Sequence, residues 1–183
     1  MADAEPPERR AGILYVDTSA LLKLLVREAE SEAIEIELVQ WARLATSIVT
    51  EVELPRAVSR AREDRPDAVI HGSVILQGIL AAVAIVPLND AIVAGARDVG
   101  PVHVGALDAI HIASATSLGR DLSAVATYDK RMQDALALAR VTVLAPDGDQ
   151  PSANDQQAQD AAEDTPGTPD DGESTTLSPA NGI

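Results

Sequence analysis

The 183-residue sequence contains no cysteine, no phenylalanine, one tryptophan and two tyrosines. Without cysteine the chain cannot form a disulfide framework, a thiolate zinc site, an iron–sulfur cluster or a cysteine nucleophile. Aromatic residues occupy only 2% of positions, which almost excludes the aromatic platforms on which many nucleic-acid-binding proteins stack bases. A folded core must therefore be assembled from Leu, Ile, Val and Ala.

A long hydrophobic run is also lacking. The longest apolar stretch, residues 74–88, is interrupted by Gln77 and Gly78 and is shorter than the ~20 residues that span a bilayer. The first ten residues are polar and do not have the basic start and apolar centre of a secretory signal. We therefore expect a cytoplasmic protein without a membrane segment.

Basic residues are scarce, with 14 Lys and Arg against 29 Asp and Glu, and the formal net charge is −15. Taken alone, this charge argues against binding to nucleic acid. Its distribution changes the interpretation, because residues 12–146 hold 17 acids and 12 bases, whereas residues 147–183 hold nine acids and no base. We predict a flexible N-terminal segment (1–11), a folded domain (12–146) and a disordered acidic tail (147–183), since the tail has few apolar groups to bury.

Short apolar runs alternate with amphipathic stretches between the two ends. Such runs, separated by helices, need crossover connections, which make the strands parallel and place helices on both faces of the sheet. The sequence therefore predicts an α/β fold, a three-layer α/β/α sandwich with a central, mostly parallel sheet. The predicted strands are 12–16, 45–47, 84–88, 124–128 and 141–144, and the predicted helices are 20–27, 31–43, 51–62, 66–83, 90–98, 107–118 and 131–139.

Four carboxylates fall where such a sheet binds ligands, beyond the carboxyl ends of its strands. Asp17 directly follows the first predicted strand, and Asp129 follows the strand predicted over 124–128. Glu53 lies near the start of the helix after the second strand, and Asp108 begins an otherwise apolar helix. Taken singly, each acid has a structural explanation as a helix cap, a first-turn acid or a partner of Arg56 or Arg60.

Taken together, four acids at one edge would repel one another unless a cation neutralised them. Mg²⁺ and Mn²⁺ prefer oxygen ligands, and carboxylates without Cys or His suit that preference. Such an ion would support metal-dependent hydrolysis of a phosphoester. These residues alone do not choose between RNA, DNA and a small phosphate ester.

Four segments carry a family resemblance: YVDTSALLKL (15–24), ELPRA (53–57), LDAIHIA (107–113) and TYDKRM (127–132). In this order and spacing they resemble the PIN-domain ribonucleases, and more closely the VapC-type toxins of toxin–antitoxin pairs. The resemblance covers roughly residues 12–146. The acidic tail is not part of the family pattern.

The resemblance implies a PIN-like fold and an endoribonuclease that depends on Mg²⁺ or Mn²⁺. It also implies that Asp17, Glu53, Asp108 and Asp129 are the metal ligands and catalytic acids. RNA would be the substrate, a VapB-type antitoxin would neutralise the enzyme, and the chain would form a homodimer or a toxin–antitoxin hetero-oligomer. Thr18 and Ser19 would organise the turn that holds Asp17, and Thr127 would lie near Asp129.

Several other polar residues carry weaker expectations. His111 lies three residues after Asp108, on the same helical face, and we expect it to be a buried histidine more than a base or ligand. Lys23, Lys130 and Arg131 either contact RNA phosphates or are simply solvated. The densest basic region, residues 56–65, could meet RNA or an acidic segment of another protein, or pair with its own acids.

Two other functional classes are open. One is a catalytically inert PIN-like module that binds proteins. The other is a phosphoacceptor domain on a similar sheet, which would want a second acid near Asp17, where the sequence instead has Ser19.

Overall fold

The computed structural model describes residues 9–69, 73–101 and 103–148, and these residues form a parallel five-stranded sheet with helices around it. The strand order is β3-β2-β1-β4-β5, and all four strand pairings are parallel. The predicted α/β/α architecture is thereby confirmed. The strands are β1 (Arg10–Val16), β2 (Trp41–Ser47), β3 (Ala84–Val86), β4 (Leu122–Ala126) and β5 (Val143–Leu144).

Seven α-helices connect these strands within the described part of the chain, together with two 3₁₀ turns at Pro66–Ala68 and Gly119–Asp121. Most predicted helices appear with ends moved by a few residues. The helices are α1 (Thr18–Leu22), α2 (Ser31–Val39), α3 (Thr50–Asp64), α4 (Ser73–Ala82), α5 (Asp90–Arg97), α6 (Ala106–Thr116) and α7 (Lys130–Leu138).

Three helix predictions were wrong in extent. The helix predicted over 20–27 begins at Thr18 and ends at Leu22. The helix predicted over 31–43 ends at Val39, and Trp41 opens β2, where it lies opposite Arg10 of β1. Pairing with the central strand outweighs the helical spacing of the apolar residues. The helix predicted over 66–83 becomes a 3₁₀ turn followed by α4, and residues 70–72 lie outside the described part.

The core consists of two clusters, one on each face of the sheet. In β1, Leu14 and Val16 pack into one cluster and Tyr15 into the other, as the alternation of side chains along a strand requires. The first cluster is built from α1, α2 and α3, and the second from α6 and α7. Each fully buried Leu or Met contributes about 1.5–3 kcal/mol to folding, so these clusters fix the helices that carry the candidate site.

A glycine allows the entry into β1. Gly12 has a φ of +90°, and the register of β1 against both neighbouring strands shifts near this residue. A side chain there would overlap Ser123 on β4.

None of the helices in the described part of the chain is long and apolar enough to cross a membrane.

Candidate metal centre at the carboxyl edge of the sheet

The topology itself marks one place on the carboxyl edge. From β1 the chain passes to β2 and β3 on one side and then returns to β4 on the other side. Ligands in open α/β sheets bind where the strand order reverses in this way. Asp17 follows β1 at that point.

Asp17 is buried, with 6% of its surface exposed, and three groups hold one of its oxygens. Oδ2 accepts hydrogen bonds from Ser19 Oγ at 2.6 Å, from the Ser19 backbone N–H at 3.1 Å and from Thr127 Oγ1 at 3.0 Å. Asp17 also caps α1, so the explanation of this residue as a helix cap holds as well. Oδ1 lies 3.5 Å from His111 Nε2.

Asp108 and Asp129 begin two neighbouring helices. Asp108 lies in the first turn of α6 and accepts a hydrogen bond from the Gly105 N–H at 3.2 Å. Asp129 caps α7, where its Oδ1 accepts from Arg131 N at 2.9 Å and Met132 N at 3.1 Å. Both arrangements satisfy backbone donors that a helix start leaves unpaired.

The position of Asp129 differs from the prediction. The fourth strand ends at Ala126, so Thr127 and Tyr128 separate Asp129 from it. The hydroxyl group of Thr127 contacts both aspartates. Its Oγ1 donates a hydrogen bond to Asp17 and accepts one from the Asp129 backbone N–H at 3.2 Å. The expectation that Thr127 lies near Asp129 thus describes one of the contacts of its hydroxyl group.

Asp108 is partly buried, and the charges of Asp129 and Asp17 act on its pKa. Burial is the largest cause that raises the pKa of Asp108, and the negative charge of Asp129 is the next, with a smaller effect from Asp17. Arg131 offsets part of this repulsion, since its Nη2 lies 3.8 Å from Asp108 Oδ2 and 3.5 Å from Asp129 Oδ2. Its side chain is 59% exposed, so water screens that compensation.

Glu53 lies in the first turn of α3, the helix that follows β2. Its Oε2 accepts a hydrogen bond from Thr18 Oγ1 at 2.7 Å and lies 2.8 Å from His111 Nε2. Partial burial opposes ionisation of Glu53, but the bonds from His111 and Thr18 outweigh it and lower the pKa. The partners considered from sequence, Arg56 and Arg60, form no ion pair with Glu53 in the structure; the basic side chain in contact with Glu53 is His111.

His111 is a buried side chain in α6 that lies close to both Asp17 and Glu53. Burial alone would lower its pKa, but the bond to Glu53 and the charges of Asp17, Glu53 and Asp108 raise it. Its Nδ1 lies 2.7 Å from Tyr15 OH. The sequence analysis missed Tyr15, because a tyrosine in an apolar run resembles core; the one available signal was that a buried phenol needs a polar partner.

Lys23 does not do what the sequence suggested. It is neither solvated nor free to contact RNA, because it is 6% exposed and lies between Glu28 at 2.7 Å and Glu30 at 2.9 Å. Its Nζ also lies 4.3 Å from the centre of the Tyr128 ring. These contacts make Lys23 a structural residue.

The donor set fits a hydrated metal ion. Over residues 9–69, 73–101 and 103–148, no group of three or more His, Asp or Glu side chains is arranged so that it could hold an ion by itself. Mg²⁺ does not need such a cage, because it usually takes one or two carboxylates and completes its octahedron with water and substrate phosphate oxygens. Asp17, Asp108 and Asp129 carry oxygen donors of that kind.

Comparisons with known proteins agree with this architecture. A family model for the PIN domain matches residues 14–137. The chain belongs to the PIN-domain family. Among curated relatives of this PIN-domain protein, ribonuclease VapC47 of Mycobacterium tuberculosis (strain CDC 1551 / Oshkosh) is 37% identical over 124 residues, which cover 66% of the chain and 87% of the relative.

Two further relatives from the same species are ribonuclease VapC46 (strain ATCC 25618 / H37Rv) and ribonuclease VapC35. Each is 33% identical to this PIN-domain chain over 73% of the chain and 97% of the relative. The resemblance found in the sequence is thus confirmed, and the chain is of the VapC type among PIN-domain ribonucleases.

Proposed function

We propose that this VapC-type protein is an endoribonuclease that hydrolyses RNA phosphodiester bonds with Mg²⁺ or Mn²⁺ at the carboxyl edge of its sheet. Asp17, Glu53, Asp108 and Asp129 are its catalytic acids and metal ligands. The observation that supports this best is the proximity of Asp108 and Asp129, which lie 3.8 Å and 3.5 Å from Arg131 Nη2. Burial, and after it the charge of Asp129, raise the pKa of Asp108. PIN-domain ribonucleases in general depend on divalent metal ions, which adds to that support.

Neighbouring side chains orient the carboxylates of the site without a bound ion. Ser19 and Thr127 hold Asp17 by Oδ2, which leaves Oδ1 as the oxygen for a ligand. Thr18 and His111 hold Glu53 in its ionised form. A bound ion would polarise the phosphate and lower the pKa of a bound water molecule. Because the carboxylates are already oriented, little reorganisation is needed when the substrate arrives.

The proposal includes the biological setting of the VapC type. A VapB-type antitoxin neutralises the enzyme, and the protein exists as a homodimer or as a toxin–antitoxin hetero-oligomer. It acts in the cytoplasm, where RNA is available. The support is the likeness to three ribonucleases named VapC.

The test compares two substitutions in or beside α7. Asp129→Asn keeps an effective helix cap but removes a negative charge from the site. We expect it to lower cleavage of cellular RNA in Mg²⁺ by about 100-fold or more, since a metal ligand is lost. Asp134→Asn, an exposed position on α7, is the matched control and should cleave as the wild type does. Cleavage by Asp129→Asn at the wild-type rate would falsify the assignment.

A catalytically inert PIN-like binding module is the second candidate. The observation in its favour is that the described residues contain no group of three side chains that could cage a metal. Calorimetric titration with Mn²⁺ separates the two candidates. The endoribonuclease should bind Mn²⁺ in the wild type and lose that binding in Asp129→Asn, whereas the inert module should show no binding that depends on these carboxylates.

A further inference from the structure

A depression of about 250 Å³ lies beside the acidic site and has no role in the function proposed so far. Thr18 and Glu53 line one part of it, and Arg56 and Arg60 line another. Two exposed apolar side chains, Val52 and Leu107, complete the lining together with Ala57. The depression therefore connects a candidate catalytic acid with two cations.

The helical repeat explains this connection. Glu53, Arg56 and Arg60 are spaced i, i+3 and i+7 along α3, so they share one face of the helix. The two arginines are about 6 Å apart along the helix axis. A second depression of about 300 Å³ contains the same two arginines, so the cations lead away from Glu53 along the helix.

Both arginines are available to a ligand. Each is exposed, and neither forms an ion pair with any residue of the described ranges, in contrast to Arg10 and Arg65. The charge of Arg60 also reaches the site, as the weakest of the influences on the pKa of Glu53 after burial and the contacts with His111 and Thr18. Each depression also contains one acid, Glu63 in the second and Glu53 in the first. His111 and Thr18 contact the carboxylate of Glu53, so the part of the arginine row toward Glu53 is the more favourable for an anion.

We propose that this depression binds a backbone phosphate of single-stranded RNA next to the bond that is cleaved, with Arg56 and Arg60 as its ligands. The inference rests on the proposed function and names the contact that holds the substrate beside the acids. A guanidinium group recognises phosphate through paired hydrogen bonds, and an unpaired one is free to do so. Val52 and Leu107 offer apolar contact to a sugar or base, in a chain with few aromatic side chains for stacking.

The experiment measures steady-state cleavage of a single-stranded RNA oligonucleotide by the full chain at several KCl concentrations. For Arg56→Gln and Arg60→Gln we expect an unchanged kcat and a KM raised about fivefold by each, because the contact holds ground state and transition state alike. The dependence of log(kcat/KM) on log[KCl] should become shallower by about 0.7 for each arginine removed. Arg120→Gln is the control, since Arg120 is exposed and precedes β4 at the opposite edge of the sheet.

A second measurement separates the two proposals. Binding of the same oligonucleotide is followed by fluorescence anisotropy in the Asp129→Asn background, with and without the arginine substitutions, so the result does not depend on turnover. If the wild type cleaves RNA but the double arginine variant keeps its KM, salt slope and RNA affinity, the inference is wrong and the proposed function stands. If the arginine variants lose affinity only for an acidic peptide such as polyglutamate, the depression belongs to a protein contact and the inference is again wrong. Absence of RNA cleavage by the wild type, with arginine-dependent RNA binding retained, would instead overturn the proposed function.

Discussion

Two clusters of charged side chains in this molecule are built on opposite plans. In the first, Lys23 lies between Glu28 and Glu30, and Arg65 contacts Glu28 at 2.9 Å. In the second, three aspartates meet at the edge of the sheet with one exposed arginine near them. We call these the lysine cluster and the aspartate cluster.

The pKa values of the acids shift in opposite directions in the two clusters. Burial opposes ionisation of Glu28, yet the contacts with Lys23 and Arg65 outweigh it and lower the pKa. The hydrogen bond from Lys23 is the main cause that lowers the pKa of Glu30. In the aspartate cluster, burial and the charge of Asp129 raise the pKa of Asp108. The lysine cluster thus gains stability from its charges, whereas the aspartate cluster loses some stability, which under the proposed function an external cation would restore.

The largest effect should come from Asp108→Asn. The amide can still accept the hydrogen bond from the Gly105 N–H, but it removes one charge from the aspartate cluster. We expect RNA cleavage to fall about 100-fold or more, while the free energy of unfolding at pH 7 rises by about 0.5 kcal/mol because like-charge repulsion is relieved. Urea unfolding and a cleavage assay on the same preparation check both effects. A variant that loses activity through loss of stability would contradict the proposed difference between the clusters.

The next effect concerns the opposite cluster. Lys23→Met keeps an unbranched apolar stem but leaves Glu28 and Glu30 without their shared cation. We expect a loss of about 2 kcal/mol in the free energy of unfolding, with RNA cleavage per folded molecule unchanged. Lys130→Met, at an exposed position, serves as the control for stability. Unchanged stability in Lys23→Met would show that the lysine cluster is not structural.

The smallest effect is a change in acid sensitivity. Because the pKa of Glu28 is lowered in the folded state, its contribution is fully present above its ordinary pKa of 4.5 and is lost as the pH falls through the lowered value. Glu28→Gln should therefore be less stable than the wild type at neutral pH, by about 1 kcal/mol or less, and the difference should shrink below pH 4.5. Thermal unfolding between pH 3 and 7, with the exposed Glu32→Gln as reference, measures this. A difference that does not change with pH would assign the effect to packing.

The sequence could predict the parts of the fold that depend on short-range pattern. The apolar run that became β1 and the spacing of α6 both appear close to their predicted positions. The beginning of β2 at Trp41 could not be predicted, because it is fixed by pairing with Arg10, a residue far away in the chain. Strand order likewise follows from contacts over long separations.

The candidate site shows the same division. Its four acids could be proposed from their places after strands and from the family resemblance. The contacts among them could not: Tyr15 and His111 meet across 96 positions, and Thr127 reaches Asp17 across 110. Local pattern also misjudged Lys23, since nothing nearby shows that Tyr128 will lie over its ammonium group. Partners that are brought together only by folding leave no periodic signal.

The central position of β1 has a consequence for synthesis on the ribosome. Its partner β4 is made about a hundred residues later, with Leu14 opposite Ala124 and Val16 opposite Ala126. Until most of the chain has been translated, Asp17 therefore has neither Thr127 nor Asp129 beside it. A prematurely terminated product that stops before β4 carries three of the four acids but lacks Asp129 and Thr127, so under the proposed function incomplete translation of this message yields no assembled site.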